Sequence, residues 1–206
     1  MNAVKQCAPC IRPIPSMILN ALQHTHQSPP FLAQKASVLA TNLIKSYFEK
    51  GSVKEAHQLF DEMPERDVVA WTAMIAGYTS CNYDSLSWMM FYEMLREGVK
   101  PNAFTVSSVL KACKGMKCYS CGAAAHGLAI KRGLVGYIYV DNALMDVYAT
   151  CCATMDEACM VFRDVNLKND VSWTTLMAGY THRGDGHSGL RVFRQMLSVS
   201  TPKLKF

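Results

Sequence analysis

No acidic residue occurs before Glu49, although Lys5, Arg12, Lys35 and Lys45 stand ahead of it. The 206-residue chain carries a formal net charge of +5; the remainder holds 17 of its 21 basic residues and all 16 acidic ones, so the body is close to neutral. No apolar run reaches the roughly 18 residues that a membrane-spanning helix needs, so membrane insertion is not expected. The chain has no His-x-Glu, no Gly-x-Ser-x-Gly, no phosphate loop and no credible triad. Without these there is no signature of a zinc deaminase, a serine hydrolase or a nucleotide-binding enzyme. No catalytic residue and no cofactor is predicted. The nine cysteines lack the even count and spacing of a secreted framework, which reads as free thiols in a reducing compartment. Cys7–Cys10 and Cys118–Cys121 are both Cys-x-x-Cys, and Cys113 and His126 lie near the second. That pair falls where small residues pack between two helices, so no metal site is predicted there.

What is present begins with an acid-free, basic and proline-interrupted leader, residues 1–36. Such a segment reads as an organelle transit peptide, here mitochondrial with the chloroplast as alternative, or else as a disordered tail without an address. Beyond it the sequence repeats itself. "WTAMIAGYT" starts at Trp71 and "WTTLMAGYT" at Trp173, 102 residues apart. Before each stands a related stretch, "ATNLIKSYFEKGSVKEAHQLFDEM" and "DNALMDVYATCCATMDEACMVFRDV". A small residue and a Phe recur one helical turn apart, as Ala56 with Phe60, Ser87 with Phe91, Ala158 with Phe162 and Gly189 with Phe193. The small side chain lets a neighbouring helix come close, and the Phe fills the space beside it.

Polar anchors set the register. Thr41, Thr72, Ser107, Asn142 and Thr174 follow one another at intervals of 31, 35, 35 and 32 residues. The units are predicted at 37–67, 68–102, 103–137, 138–169 and 170–206, the last incomplete with a divergent end. Each reads as two short amphipathic helices joined by a turn such as "EKGS" or "HRGDG". One such hairpin cannot bury its apolar face alone, whereas stacked copies can. The expected fold is therefore all-α, an α-solenoid of stacked antiparallel helix pairs forming a right-handed superhelix, with the first helix of each pair on the concave side.

With their markers "DVVAWTAMIAGY", "REGVKPNAFTVSSVLKAC", "YVDNALMDVYA" and "LFDEMPERDVV", these units resemble pentatricopeptide repeat proteins of the plant organellar kind. Members of that kind alternate short, standard and long repeats, and the order here is short, standard, long, short, standard. The resemblance covers residues 37 to about 197. Tetratricopeptide repeats, with a fixed 34-residue period and a Trp–Leu-Gly–Tyr pattern, fit less well.

The resemblance implies binding of single-stranded organellar RNA at one base per repeat, read by the fifth residue of each unit and by its last residue. It pairs Thr41 with Asp67 for guanine, Thr72 with Asn102 for adenine, and Asn142 with Asn169 for a pyrimidine. One inserted residue near "CCATM" leaves Asp170 as the alternative to Asn169. The long unit offers Ser107 with Tyr137 and no predicted base; the last unit offers Thr174 alone. The apolar residue at the start of each unit is expected to sandwich a base. On this reading the chain is a non-catalytic specificity factor for RNA editing or other RNA processing, with editing-complex proteins supplying the chemistry. The alternative is a protein-binding helical scaffold without an RNA role, favoured by the near-neutral body.

Overall fold

The computed structural model of the chain describes residues 30–200. The leader up to residue 29 and residues 201–206 lie outside the described residues. Those described form ten α-helices, with no strand among them. The chain divides into two compact units, Met1–Arg66 and Asp67–Phe206.

The first unit contains α1 (Pro30–Glu49) and α2 (Val53–Asp61). α1 reaches seven residues into the segment read as leader: Pro30 is suited to a helix start, and 31–36 contain no breaker. Ala36, Ala40, Ile44 and Phe48 lie four apart on one face and are buried. They pack with Ala56, Leu59 and Phe60 of α2, an antiparallel pair closed by Gly51 at φ +73°. Arg66 finishes α2 by donating from Nε to the Phe60 carbonyl (3.1 Å) and from Nη2 to that of Asp61 (3.0 Å).

The second unit holds four helix pairs: α3 (Val68–Ser80) with α4 (Asp84–Arg96), α5 (Ala103–Gly115) with α6 (Tyr119–Lys131), α7 (Ile138–Cys151) with α8 (Asp156–Asp164), and α9 (Asp170–His182) with α10 (Gly186–Ser200). The two tryptophan phrases lie in α3 and α9, first helices of their pairs, and Trp71 and Trp173 are both buried. First helices stack on one another, α3 on α5, α5 on α7 and α7 on α9, while α4 and α6 also lean on the first helix that follows them. This is a helical-repeat solenoid, whose core runs along the first helices: Met74, Ile75, Val106, Val109, Leu110, Leu144 and Met145 are fully buried. Ser87 shows how close the helices of a pair come. Its hydroxyl reaches the Ile75 carbonyl (3.0 Å) and Thr79 Oγ1 (2.8 Å), both on α3.

Most helices end on one left-handed residue, where a backbone N–H reaches back five residues to satisfy an orphan carbonyl. Asn82 (φ 60°), Gly98 (φ 77°), Lys117 (φ 52°), Gly133 (φ 65°) and Gly184 (φ 76°) hold that place. Among the first helices of the pairs, α7 is the exception. Its end, with the inserted residue of "CCATM", leaves in extended backbone at Cys152 (φ −82°, ψ 159°). Arg183, just past α9, supplies the missing donors. Its guanidinium donates to the carbonyls of Ala149 (3.0 Å), Ala153 (2.7 Å) and Cys152.

Candidate nucleic-acid interface

Four first helices start on the last residue of the preceding predicted unit. Asp67, Asn102, Tyr137 and Asn169 are the N-caps of α3, α5, α7 and α9. Each anchor follows its cap by five residues: Thr72, Ser107, Asn142 and Thr174. Asp67 accepts from the backbone N–H of Val69 (3.0 Å) and Ala70 (2.9 Å). Asn102 and Asn169 form capping boxes with Thr105 and Ser172. Such caps are worth about 1 kcal/mol each. Asn169, not Asp170, is the cap; Asp170 is the first helical residue and points its backbone into the first turn.

Two of the sequence-derived pairs come together in the second unit. Thr72 Oγ1 lies 2.7 Å from Thr105 Oγ1, and Thr105 Oγ1 lies 3.0 Å from Asn102 Oδ1. Asn142 Oδ1 lies 2.8 Å from Ser172 Oγ, which lies 3.0 Å from Asn169 Oδ1, and Asn142 Nδ2 donates to Asn169 Oδ1 at 3.4 Å. Ser107 and Tyr137 are not joined in this way. Ser107 is buried and donates to the Phe104 carbonyl (3.0 Å), and Tyr137 caps α7 without a side-chain bond. Thr174 is exposed and donates to the Asp170 carbonyl (2.8 Å). Thr41, in the first unit, is buried on α1.

Two residues after each cap stands a large, exposed apolar side chain. Val69, Phe104, Tyr139 and Val171 are 49%, 61%, 61% and 54% exposed, at the same intervals as the anchors. The rings of Phe104 and Tyr139 touch across the unit boundary, with centroids 5.7 Å apart and planes 32° apart. Other large apolar side chains of the described surface are as exposed, Tyr92 and Ile130 at 61% among them; what sets these four apart is their common register.

Thr105 and Ser172 were missed in the sequence reading, although Asn102-x-x-Thr105 and Asn169-x-x-Ser172 carry the spacing of a capping box. Cys118, considered above as a metal ligand, instead caps α6: its Sγ accepts from the Cys121 N–H at 3.3 Å.

A cavity of about 490 Å³ opens among α6, α7 and α8, lined by Tyr119, His126, Asp141, Tyr148, Glu157 and Asp164, among others. Its lining holds three carboxylates and no lysine or arginine. Asp141 accepts from the Gly136 N–H (3.0 Å), yet burial still raises its pKa above the ordinary carboxylate value. Burial holds His126 below the usual imidazole range and pushes Tyr148 up to about 12. Nδ1 of His126 lies 2.6 Å from the Tyr148 hydroxyl. An anion such as a phosphate is disfavoured here.

Comparison with known proteins places the fold. A sequence profile described as "PPR repeat family" matches residues 66–115, and one described as "PPR repeat" matches 38–68 and 171–199. The chain belongs to the pentatricopeptide repeat family. A putative pentatricopeptide repeat-containing protein of Arabidopsis thaliana is 53% identical over 193 residues, covering 90% of this chain and 32% of the relative. A mitochondrial member from the same plant is 39% identical (78% of this chain, 25% of the relative), and a chloroplastic one 35% identical (87% and 35%). The chain thus spans about a third or less of the length of these relatives. Among solved structures, the pentatricopeptide repeat protein PPR10 from maize shares the fold at a TM-score of 0.51 and 18% identity, over 92% of this chain and 33% of that one. PPR10 in complex with an 18-nt psaJ RNA element aligns at 0.51 and 20% identity, over 89% and 31%.

Proposed function

We propose that this pentatricopeptide repeat chain binds single-stranded RNA in a plant organelle, one base per repeat, as a specificity factor for RNA editing or another processing step. The observation that carries the reading is the recurrence, at one register, of a polar cap, an exposed apolar residue two positions on and a polar anchor five positions on. On this reading Thr72 and Asn102 face an adenine held between Val69 and Phe104, and Asn142 and Asn169 face a pyrimidine held between Tyr139 and Val171. Stacking on such platforms contributes about 1–3 kcal/mol per base. Relatives named mitochondrial and chloroplastic support an organellar site of action. Unit lengths support the short, standard and long class of repeats.

The test is competition between RNA oligomers that differ at one base. The parent chain is expected to bind weakly, since few repeats contribute, and to prefer adenine at the position of Thr72 and Asn102. Thr72→Asn combined with Asn102→Asp should move that preference to uracil by roughly five- to hundredfold in relative affinity. Aspartate keeps the cap, as Asp67 does for α3. An unchanged preference in the double variant favours the scaffold reading, for which the near-neutral body speaks.

A further inference from the structure

Two of the sequence-derived pairs do not stand free; each of these two is wired to a hydroxyl that belongs to the next repeat. Thr105 is the third residue of α5, and its Oγ1 sits between Thr72 and Asn102. Ser172 is the third residue of α9, and its Oγ sits between Asn142 and Asn169. Both hydroxyl-bearing residues are completely buried. The corresponding third residues of α3 and α7 are Ala70 and Val140, which have no hydroxyl to offer.

Counting protons shows what the wiring does. Thr72 Oγ1 lies 2.6 Å from the Val68 carbonyl and 2.7 Å from Thr105 Oγ1. A hydroxyl has one proton. Whichever of these two acceptors Thr72 serves, its proton stays inside the protein, and its outward side offers only lone pairs. Asn102 Oδ1 receives the Thr105 N–H (2.9 Å) and lies 3.0 Å from the Thr105 hydroxyl. Its carbonyl end is therefore held inward and its NH₂ end turned out. The pair presents an acceptor beside a donor. Adenine offers the complementary edge, the N6 amine as donor and N1 as acceptor. Guanine offers the reverse, O6 as acceptor and N1–H as donor. In the second pair Ser172 N–H (2.9 Å) likewise holds Asn169 Oδ1 inward, while its hydroxyl takes up Asn142 Oδ1.

We propose that Thr105 and Ser172 are positioning residues for base recognition: the hydroxyl of each fixes which donors and acceptors the preceding repeat's pair turns toward RNA. This rests on the reading of those pairs as base-facing. It also means that the identity of a base is set partly by the third residue of the repeat that follows.

The experiment measures binding of the 206-residue chain to oligomers carrying adenine or guanine at the Thr72–Asn102 position. Thr105→Val keeps the side-chain shape and the backbone N–H of the cap but removes the hydroxyl. Thr105→Ser restores it. The adenine-over-guanine ratio is expected to fall about fivefold or more in Thr105→Val, to recover in Thr105→Ser, and to leave the preference at the Asn142–Asn169 position unchanged. A ratio in Thr105→Val equal to the parent's overturns the proposal. So does an equal loss of preference at both positions, which marks a structural role alone. A folded parent that binds all four bases equally at this position overturns the base-facing reading itself, a distinct result. If circular dichroism shows Thr105→Val to be unfolded, Ser172→Ala makes the same test at the second pair, where loss of the pyrimidine preference is expected and its retention overturns the proposal.

Discussion

Gly122 and His126 stand on α6 where α4 carries Ser87 and Phe91, and where α8 carries Ala158 and Phe162. A Cβ on Gly122 would lie 2.5 Å from Val147 Cγ1, so α6 approaches α7 more closely than an alanine permits without a shift. The place of the phenylalanine is taken by an imidazole bonded to the Tyr148 hydroxyl. Burial depresses the His126 pKa, against the pull of Asp141. A histidine with a depressed folded pKa stabilises the fold while neutral, and that contribution is lost as pH falls below its unfolded value of about 6.5. Thermal unfolding should therefore come at lower temperature at pH 5.5 than at pH 7.5. His126→Phe, which restores the pattern of the other second helices, should flatten that difference. Asp141, Glu157 and Asp164 line the same cavity; the raised Asp141 pKa has the opposite sign, with stability lost as pH rises through it. A pH difference unchanged in His126→Phe would mean that His126 is not its source, and the raised Asp141 pKa, being of opposite sign, could not supply it.

Second helices and first helices left different marks on the sequence. α2 and α8, nine residues each, bury only a narrow stripe, Ala56, Leu59 and Phe60 in one and Ala158 and Phe162 in the other. That stripe is what made the small–Phe spacing readable. Ala56→Phe and Ala158→Phe should each destabilise by about 1–3 kcal/mol in urea unfolding, because both alanines are fully buried. Gly189 occupies the same place on α10, but a Cβ there meets Thr181 Oγ1 only at 3.6 Å. Gly189→Ala should stabilise, by up to about 1 kcal/mol, through the lower entropy of the unfolded chain. The first helices are harder to read. α7 buries Val140, Asp141, Ala143, Leu144, Met145, Val147, Tyr148 and Ala149, so its apolar residues go most of the way round. Periodicity fades in such a helix, and the repeated phrase and the anchor spacing, not amphipathicity, disclosed it. The hydroxyls of Thr105 and Ser172 were illegible for another reason. Their cap partners Asn102 and Asn169 are three residues away, but the anchors Thr72 and Asn142 are 33 and 30 residues away, and only stacking brings one repeat's third residue to the previous repeat's anchor.

At the scale of the whole molecule, the charge balance bears on how the proposed RNA partner would be held. A net charge of +5 lies largely in residues that precede Glu49, and the body is nearly neutral. Each phosphate neutralised contributes a slope of about −0.7 to log K against log salt for a single strand. The 206-residue chain should therefore show a slope of only about −1 to −2, with affinity coming from stacking and base-edge bonds. A steep slope, of about −5 or beyond, would mean that phosphate contacts dominate and that the exposed row of Val69, Phe104, Tyr139 and Val171 is not the main platform.

Arg183 makes the order of the last two pairs matter. Its guanidinium closes the end of α7 by holding the carbonyls of Ala149, Cys152 and Ala153, a task that a left-handed residue performs for most other helices within their own pair. Repeat arrays invite cutting and shuffling, as if each hairpin were a brick of the same mould. Here the fourth brick is finished by the fifth. A chain cut after Asn169, or grafted to a fifth pair lacking this arginine, leaves three carbonyls at the end of α7 facing water and a helix free to fray from the end opposite Asn142. The joint between these two pairs is thus a matched seam, to be moved as one piece when repeats are recombined.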